Sequence, residues 1–304
     1  MHTQRRIRVI VNPTARSGRG ARALKRSGIL DSRHDGVSLE LVESRSAEHL
    51  REVVRASQEE NLDALGLAGG DGTVALALGA LDRVNRVPIG ILPLGSGNDF
   101  AAQIGVPANL PGALDVLLHG VVRKVDVACA APGGARYCCV ATVGLDEVAL
   151  RFIHGSPFPR SKALNIVSVL RALAVYRPRP AKIEWEGGSF EGEIMFAAVT
   201  NTRSYGGGFK VTPSASIDDG ALDLCIVRRT GRLRLIGQFP KVLAGTHGSM
   251  PEVVFARSPW VRIEGHPDQF PVALDGELPR LTTPVELRCQ PGALRVLGPK
   301  GETH

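Results

Sequence analysis

Short apolar runs that end near glycine or proline punctuate the first third of the chain. Residues 7–11, 62–68 and 88–92 are mostly apolar, and their length favours buried strands over helices. Between the first two runs, Ser46 is placed to cap an amphipathic helix over the residues that follow it. Strand and helix signals that alternate at this spacing predict a parallel α/β sheet.

The pattern changes after about residue 125, where short runs typical of strands are separated by turn residues. Residues 182–186 and 193–200 flank a Gly-Gly pair and predict a hairpin. Two helical segments interrupt the strands, one at residues 163–176 and one at about residues 233–243. This pattern predicts a second, mostly antiparallel domain with a β-sandwich fold.

Composition limits the class of protein. The 304 residues suffice for about two domains, and 43% hydrophobic with 22% charged residues is typical of globular proteins. The formal net charge of +7 favours anionic partners. Five cysteines without a CxxC pair disfavour a disulfide framework or a cysteine zinc site and indicate a reducing, cytoplasmic compartment. Because no apolar run approaches about 18 residues, we expect no membrane-spanning segment.

The strongest local signal is the sequence Gly-Gly-Asp-Gly-Thr at residues 69–73, which follows a predicted strand and opens a predicted helix. Glycines let the N–H groups of a helix N-terminus approach phosphate oxygens, and Thr73 adds a hydroxyl donor. The carboxylate of Asp71 repels phosphate, so it either organises the loop or meets a metal ion. A tight turn with a capping aspartate explains the same residues and stays open.

Two further loops follow neighbouring predicted strands. Residues 93–100 are rich in glycine, and residues 12–20 contain Arg16 and Arg19, whose charges suit phosphate. Loops after parallel strands share the carboxyl edge of the sheet, where ligands of open α/β sheets bind. The chain lacks GxxxxGK[ST], which excludes a P-loop NTPase. It also lacks an intact GxGxxG followed by an acidic residue about 20 positions later, which is evidence against a dinucleotide-dependent dehydrogenase.

Together these loops resemble the catalytic domain of the diacylglycerol kinase family, which includes bacterial soluble lipid kinases, sphingosine kinases and ceramide kinases. NAD kinases and phosphofructokinases have similar GGDGT loops, so the later motifs carry more weight. The segments similar to family motifs, in family order, are VNPTARSGRG at 11–20, GGDGT at 69–73, PLGSGNDFA at 93–101, RKVDV at 123–127, TPSASIDDGALD at 212–223 and LDGE at 274–277.

The resemblance implies an α/β N-terminal three-layer nucleotide-binding domain plus a mostly antiparallel C-terminal β-sandwich domain. We expect the ATP-binding domain at residues 1–127 and the lipid-substrate domain at residues 128–290. Residues 291–304 would form a C-terminal strand that returns to the first domain and then a frayed tail. The implied activity is transfer of the γ-phosphoryl group of ATP to a lipid hydroxyl, with diacylglycerol as the leading acceptor and Mg²⁺ as cofactor.

The same resemblance assigns roles to individual residues. Glu277 resembles the family's proton acceptor, with Asp275 beside it as a second catalytic residue. Asp71, Asp99 and Asp126 would bind or orient catalytic magnesium. A structural magnesium would use the carbonyl groups of Ser216 and Ala221 and the carboxylate of Asp219. The expected ATP-binding residues are Asn12, Pro13, Thr14, Ser44, Gly69, Gly70, Asp71, Gly72, Thr73, Val74, Ala75, Ser96, Gly97 and Asn98.

The Asp-Gly-Glu segment supports the acceptor role on chemical grounds. A lipid alcohol must lose its proton as the phosphoryl group arrives, and a carboxylate can take that proton. Asp275 and Glu277 are two residues apart, so on an extended segment their side chains would face the same way. A β-turn with solvated carboxylates is the alternative.

One departure and one composition bias leave alternatives open. The family continues GGDGT with an apolar residue, Asn and Glu, whereas Val74, Ala75 and Leu76 follow here. This departure leaves a non-catalytic nucleotide-binding regulator open as an alternative. A soluble-substrate kinase of the NAD kinase type is the other alternative. Basic residues within 151–179 and 228–234 adjoin apolar helical stretches, typical of either a solvated face or peripheral docking on an anionic membrane. We expect no nucleic-acid partner, because aromatic residues are only 5% and no binding motif occurs, and a homodimer stays open.

Overall fold

A computed structural model describes residues 4–16, 18–28, 36–81, 84–265, 269–278 and 281–301. The chain divides into two compact units, an N-terminal unit of Met1–Val125 with Gly292–His304 and a C-terminal unit of Asp126–Pro291. The sequence placed these two boundaries after residues 127 and 290. Residues 302–304 of the expected frayed tail lie outside the described residues.

The elements are named here in chain order. The strands are β1 (Arg5–Val11), β2 (Val37–Glu43), β3 (Ala64–Gly69), β4 (Ile89–Pro93), β5 (Val121–Ala131), β6 (Ala135–Tyr137), β7 (Val140–Gly144), β8 (Arg179–Trp185), β9 (Gly188–Thr200), β10 (Leu222–Arg228), β11 (Val253–Ser258), β12 (Trp260–Gly265), β13 (Val272–Leu274) and β14 (Val285–Gly298). The α-helices are α1 (Arg19–Ser27), α2 (Ala47–Glu59), α3 (Asp71–Leu78), α4 (Asp99–Gln103), α5 (Leu110–His119), α6 (Leu145–His154), α7 (Lys162–Val175) and α8 (Arg232–Ala244), and His247–Ser249 form a 3₁₀-helix.

The N-terminal unit is built on a parallel sheet with the strand order β2-β1-β3-β4. Val11 pairs with both Glu43 and Ala68, and Gly69 pairs with Pro93, so the carboxyl ends of the four strands are level. The predicted parallel α/β sheet is confirmed. Its level ends bring the loops after β1, β3 and β4 to one edge, which is where ligands of such sheets bind.

The end of β14 extends this sheet beside β4, because Val296 pairs in parallel with Ile89. The buried side chain of Asn85 binds the returning strand through both backbone polar groups of one residue, Arg295. Its Nδ2 donates to the carbonyl of Arg295 at 2.9 Å, and the N–H of Arg295 donates to its Oδ1 at 2.7 Å. The C-terminal chain is thus part of the N-terminal unit.

Two glycines in the central strands make room for helix α5. A Cβ atom on Gly90 would lie 2.5 Å from Cδ1 of Leu117, and one on Gly66 would lie 3.1 Å from Cδ2 of the same side chain. Leu117 is fully buried as a result. Residues with side chains at both strand positions would push α5 away from the sheet.

Antiparallel pairing dominates the C-terminal unit, as predicted: it joins β5 to β6, β7 to β9 and β13, β8 to β9 and β12, β10 to β9 and β11, and β12 to β14. Strand β9 organises it: the first half pairs with β8 from Trp185 opposite Gly188 onward, and the second half lies between β7 and β10. The predicted hairpin is therefore confirmed as the β8–β9 pair. Side chains from β5 to β10 and from β12 to β14 form one buried cluster, which is the apolar core expected of a β-sandwich.

Helices α7 and α8 correspond to the two helical segments predicted in this half of the chain. Helix α6 was not predicted, because it begins at Leu145 directly after β7 and the apolar pattern runs through the junction. Gly144, with φ of 92°, makes the turn between them in a conformation that favours glycine. In the described parts of the chain, no helix has both the length and the hydropathy needed to cross a membrane.

Candidate functional site

Asn12 connects the loop after β1 to the loop after β3. Its Nδ2 donates to Oγ1 of Thr73 at 2.9 Å. Its Oδ1 accepts the backbone N–H and the hydroxyl of Thr14, at 3.0 and 2.8 Å. One amide side chain therefore fixes the first loop internally and ties it to the Gly-Gly-Asp-Gly-Thr segment, which brings together residues that the sequence placed at one site.

The loops after β3 and β4 touch through their backbones. A Cβ atom on Gly70 would lie 2.8 Å from Cα of Gly95, and a Cβ on Gly95 would lie 2.5 Å from Cα of Gly70. Asn98 shapes the second loop, since its Oδ1 accepts the N–H of Gly95 at 2.8 Å and its Nδ2 donates to the carbonyl of Gly95 at 3.1 Å. Asn98 itself has φ of 59°, a left-handed conformation that Asn tolerates.

Asp71 locks the same two loops together. Its carboxylate accepts the N–H groups of Asp99 at 3.1 Å and Phe100 at 3.0 Å, which are the first residues of α4. A carboxylate at a helix N-terminus is stabilised both by these N–H groups and by the helix dipole. Of the two roles that the sequence allowed for Asp71, the geometry favours organising the loop. The side chain of Asp99 is buried, and its role as a metal ligand stays a prediction.

The first turn of α3 is open to an anion. Its N-cap is Gly70, which has no side chain to occupy the N–H groups of that turn. A Cβ on Gly72 would meet nothing within 4 Å, so the space above this backbone is free. Ser96 is exposed beside it, whereas Ser44 is buried and donates its hydroxyl to the carbonyl of Val11 at 3.3 Å. The arrangement suits a phosphate group that approaches the backbone closely.

The remaining predicted ATP-binding residues differ in exposure. Thr14 is exposed, Pro13 and Gly97 are partly buried, and Val74 is buried against the core. Ala75, where the family has Asn, is partly buried on α3. Val74 therefore contributes through its backbone or through packing rather than through contact of its side chain with a ligand.

In the C-terminal unit, Leu274 to Glu277 form a tight turn. The N–H groups of Leu274 and Glu277 each donate to the other residue's carbonyl at 2.9 Å. The two central residues, Asp275 and Gly276, have φ of 48° and 79°, which is the pattern of a type I′ turn. The expectation of an extended segment with both carboxylates on one side is wrong, because the positive φ values turn the chain between them.

The carboxylate of Asp275 is held from inside the unit. It accepts three consecutive backbone N–H groups, from Cys138 at 2.8 Å, Cys139 at 2.8 Å and Val140 at 3.0 Å, and the thiol of Cys138 at 3.3 Å. Burial raises the pKa of Asp275 above its ordinary value, and the N–H donors oppose that shift by stabilising the charge. Cys138, Cys139 and Asp275 are close enough to suggest a metal site, but these hydrogen bonds already occupy both carboxylate oxygens.

Glu277 faces the opposite environment. Its side chain is 54% exposed, and its Oε1 lies 3.2 Å from Nη1 of Arg160. Nε2 of His154 lies 3.9 Å from the other oxygen of Glu277 and 3.3 Å from the carbonyl of Gly276. Sequence reasoning missed Arg160 and His154, which lie more than 110 residues away along the chain. Of the two paired carboxylates, Glu277 alone is placed to accept a proton from a ligand in solvent.

Asp126 supports the loop that carries the predicted metal residues. Its Oδ2 accepts the N–H of Gly220 at 2.7 Å, and its own N–H donates to the carbonyl of Ile217 at 2.7 Å. The buried side chain of Asn201 donates to the carbonyl of Asp126 at 2.8 Å. The observed contacts of Asp126 are therefore those of a residue that positions the 217–220 loop, and its catalytic-magnesium role stays a prediction.

The carboxylates of Asp219, in this loop, and Asp223, at the start of β10, repel each other. Burial and the charge of Asp219 raise the pKa of Asp223 to about 6. Oδ2 of Asp223 is buried without a hydrogen-bond partner within the described part of the chain. Asp219 accepts the N–H of Ala221 at 3.1 Å and pairs with Arg257, a partner that the sequence did not reveal. A buried, unpaired oxygen beside a second carboxylate fits a hard cation, for which carboxylates and carbonyl groups are the preferred ligands.

Comparisons with known proteins identify the family. The family model "Diacylglycerol kinase catalytic domain" matches residues 6–130, and "YegS C-terminal NAD kinase beta sandwich-like domain" matches residues 139–298. A diacylglycerol kinase of Mycobacterium tuberculosis is 29% identical over 305 residues, which cover 98% of this chain and 97% of that protein. A Chromohalobacter salexigens protein named "Probable lipid kinase YegS-like" is 32% identical over 257 residues, which cover 82% of this chain and 80% of the relative.

Solved structures share the fold. A diacylglycerol kinase crystal structure from Bacillus anthracis superposes with a TM-score of 0.72 at 20% identity and covers 97% of both chains. Yeast NADH kinase superposes with a TM-score of 0.54 at 10% identity, covering 98% of this chain and 84% of that one. The two-part architecture of an α/β domain and a β-sandwich domain is therefore shared with both.

Substituting alanine at two glycines will show which of them is needed for packing between the loops. We expect Gly95→Ala to lower the free energy of unfolding by about 1–3 kcal/mol, because its methyl group overlaps the backbone of Gly70. Gly72→Ala is the matched control: its methyl group enters open space within a helix, where Ala is favoured over Gly by about 0.5–1 kcal/mol. Denaturant unfolding measures both. Equal destabilisation by the two substitutions would contradict the contact between the loops.

Proposed function

This chain belongs to the diacylglycerol kinase family of lipid kinases, and we propose that it transfers the γ-phosphoryl group of ATP to the hydroxyl group of diacylglycerol. In this reaction the lipid oxygen forms a bond to phosphorus, the bond between the β- and γ-phosphates breaks, and ADP leaves. The proton of the lipid hydroxyl passes to a carboxylate. The observation that carries the proposal is the linkage of two glycine-rich loops by Asp71 beside an open helix N-terminus.

The N-terminal unit would bind the phosphates of ATP. Phosphoryl transfer depends mainly on positioning and on neutralising charge at the transferring group. The first turn of α3 offers backbone N–H groups, Thr73 holds the adjoining loop through Asn12, and Ser96 offers an exposed hydroxyl. Asp71 acts on phosphate indirectly, since its carboxylate keeps the loop after β4 against the loop after β3.

In the C-terminal unit, Glu277 would accept the proton of the lipid hydroxyl. Its carboxylate is exposed, and Arg160 at 3.2 Å fixes the position of one of its oxygens. Asp275 would be a positioning residue, because its buried carboxylate anchors the turn that presents Glu277. This division of labour revises the expectation that Asp275 takes part in catalysis directly.

A divalent cation fits the loop of residues 216–223. The carboxylate of Asp219 and the carbonyl groups of Ser216 and Ala221 would hold Mg²⁺. The cation would also offset the negative charge near the buried, unpaired Oδ2 of Asp223. A bound ion would neutralise this acidic loop and so stabilise the C-terminal unit. Arg257 would compete for Asp219, because its guanidinium already pairs with that carboxylate.

The activity test is transfer of labelled phosphate from ATP to a panel of lipids in mixed micelles, with products separated by chromatography. We expect labelled phosphatidic acid from diacylglycerol. Sphingoid bases test the related lipid kinases, and NAD⁺ in detergent-free buffer tests the soluble-substrate alternative. ATP binding without labelling of any acceptor would favour a non-catalytic regulator, which the departure at Ala75 and Leu76 keeps open.

Gly72→Ala will test the phosphate site without disturbing the fold. Its methyl group enters the space above α3, so we expect ATP affinity to fall at least about tenfold, equivalent to about 1.4 kcal/mol. Isothermal titration with ATP measures the effect. Unchanged affinity in this variant would place the phosphates elsewhere.

Substitutions in the Asp-Gly-Glu turn will separate proton acceptance from positioning. Glu277→Gln removes a carboxylate at an exposed position, so we expect phosphoryl transfer to fall about 10²–10⁴-fold while the unfolding temperature stays unchanged. Asp275→Asn replaces an oxygen by an amide that cannot accept the N–H groups of residues 138–140, so it should lower stability by about 1–3 kcal/mol. Single-turnover transfer and thermal unfolding measure the two effects. Wild-type transfer by Glu277→Gln would assign the proton to another group.

The cation site has a readout that does not depend on activity. We expect Mg²⁺ to raise the unfolding temperature, because a ligand that binds only the folded chain stabilises it. Asp219→Asn should abolish this shift, and Arg257→Gln should enlarge it by removing the competing cation. A shift that persists at full size in Asp219→Asn would remove this loop as the binding site.

A further inference from the structure

Helix α7 lacks the polar outward face of an ordinary surface helix. Ala163, Val167, Leu170 and Ala174 are exposed and follow one another at intervals of four, three and four residues, which places them on one face. Val167 is 51% exposed and Leu170 is 36% exposed. The residues Ser168, Ala172 and Leu173 on other sides of the helix are buried in the unit. A helix that is apolar on its exposed face as well requires a partner for that face.

Helix α8 shows the same feature more strongly. None of its residues is buried, and Leu233 is 85% exposed. Ile236 is 41% exposed, and Gly237, Pro240 and Ala244 continue the exposed apolar face along the helix. Its attachment to the unit is through partly buried side chains, such as Leu235. Arg232 and Arg234 lie on the flanks of this face, close to its start.

The two apolar faces belong to one region of the C-terminal unit. Leu173 of α7 and Leu235 of α8 pack on the same small cluster, which includes Tyr176 and Met195. Phe158, in the loop that precedes α7, is 71% exposed. We call this region the docking face; its large apolar residues are Phe158, Val167, Leu170, Val175, Leu233 and Ile236. They make up six of the eleven exposed large hydrophobic residues in the described part of the chain.

The two segments that form the docking face carry charge of one sign, although Glu147, Glu193, Glu252 and Glu277 of neighbouring segments pair with four of their arginines. Residues 151–179 and 228–245 contain 11 of the 37 Lys and Arg residues and none of the 30 Asp and Glu residues. The rest of the chain is therefore net acidic, although the whole carries a formal charge of +7. Lys162 and Arg177, at the two ends of α7, are exposed. Aliphatic side chains surrounded by Lys and Arg are the pattern of a surface that inserts at the interface of an anionic bilayer.

The docking face adjoins the predicted proton acceptor. Arg160 precedes the N-cap of α7, Ser161, by one residue, and its guanidinium pairs with Glu277 at 3.2 Å. An interfacial helix reaches only about 5–10 Å into the headgroup boundary, where the hydroxyl group of a diacylglycerol also lies. Contact of this face with a bilayer would therefore hold Glu277 at the depth at which the acceptor hydroxyl is found.

We propose that the exposed apolar faces of α7 and α8, with Phe158, dock this protein onto bilayers that contain anionic lipid, and that the surrounding Lys and Arg side chains contact the lipid phosphates. This inference rests on the proposed function as a lipid kinase. A second copy of the chain is a poorer occupant, because a two-fold contact would bring the same basic residues against each other. Nucleic acid is also poorer, because the exposed side chains are mostly aliphatic and offer little to stack on bases.

Vesicle sedimentation will test the docking face with matched controls. The wild-type protein should bind vesicles of phosphatidylcholine with 25 mol% phosphatidylglycerol at least about tenfold more tightly than phosphatidylcholine vesicles. Added salt should weaken this preference, because the screening length shrinks to about 3 Å at 1 M. Leu233→Ser with Ile236→Ser should reduce binding to both vesicles at least about tenfold, whereas Leu41→Ser, at a residue 45% exposed on β2, should not.

Charge-reversal variants test the electrostatic contribution of the Lys and Arg side chains to vesicle binding. Lys162→Glu with Arg177→Glu should reduce binding to the anionic vesicles at least about tenfold and leave binding to neutral vesicles unchanged. Arg26→Glu with Lys300→Glu makes the same change in net charge at exposed positions of the N-terminal unit and should have little effect. Equal loss in the two double variants would overturn the assignment to this face, as would equal binding of the wild type to both vesicles.

Activity on a soluble acceptor separates this inference from the proposed function. On monomeric short-chain diacylglycerol, the Leu233→Ser/Ile236→Ser protein should keep wild-type turnover, while turnover on vesicles should fall with binding. If no lipid is phosphorylated but vesicle binding follows the docking face, the proposed function fails and the inference stands. If the docking variants keep full vesicle binding, or if they only convert a dimer to a monomer in light scattering, the inference is overturned.

Discussion

The proposed phosphate site of this protein depends on the close approach of two peptide backbones. Gly70 and Gly95 lie so near each other that a methyl group on either would overlap the other's Cα. This contact brings the loops after β3 and β4 together, and only then can Asp71 reach the N–H groups of Asp99 and Phe100. The first turn of α3 stays open, because the side chain of Asp71, its first residue, is directed to the N-terminus of α4. The proposed phosphate site at this edge would therefore depend on packing between glycines.

A second constraint sets the geometry of the turn that carries Asp275 and Glu277. The left-handed backbone of Asp275 and Gly276 reverses the chain, so two carboxylates that are neighbours in sequence enter different environments. Three N–H groups hold Asp275 inside the unit, and Glu277 points to solvent beside Arg160. In the proposed reaction, the buried carboxylate would have a structural role and the exposed carboxylate would accept the proton.

The C-terminal unit combines a well-packed core with helices whose outer faces are apolar. Leu173 and Leu235 fill a cluster under α7 and α8, while Val167 and Leu233 on the same helices remain in solvent. The segments that contain these helices hold no acidic residue, so hydrophobic and electrostatic attraction would act on the same partner. Substrate delivery and proton acceptance would then be linked through Arg160, which joins the start of α7 to Glu277.

The sequence by itself determined the features that local patterns encode. Run length and glycine position predicted β1, β3 and β4 with the loops that follow them. The pair of segments around Gly187 predicted the β8–β9 hairpin, and motif order predicted the family. The start of α6 was missed, because the apolar pattern does not change where β7 passes into the helix. Only the tertiary structure decided the partners of the charged groups: Arg160 meets Glu277, Arg257 meets Asp219, and Asp126 supports the loop at Gly220. Each pair joins residues tens of positions apart or more, and no local pattern records which side chains the packing of distant strands and helices will bring within a few ångströms.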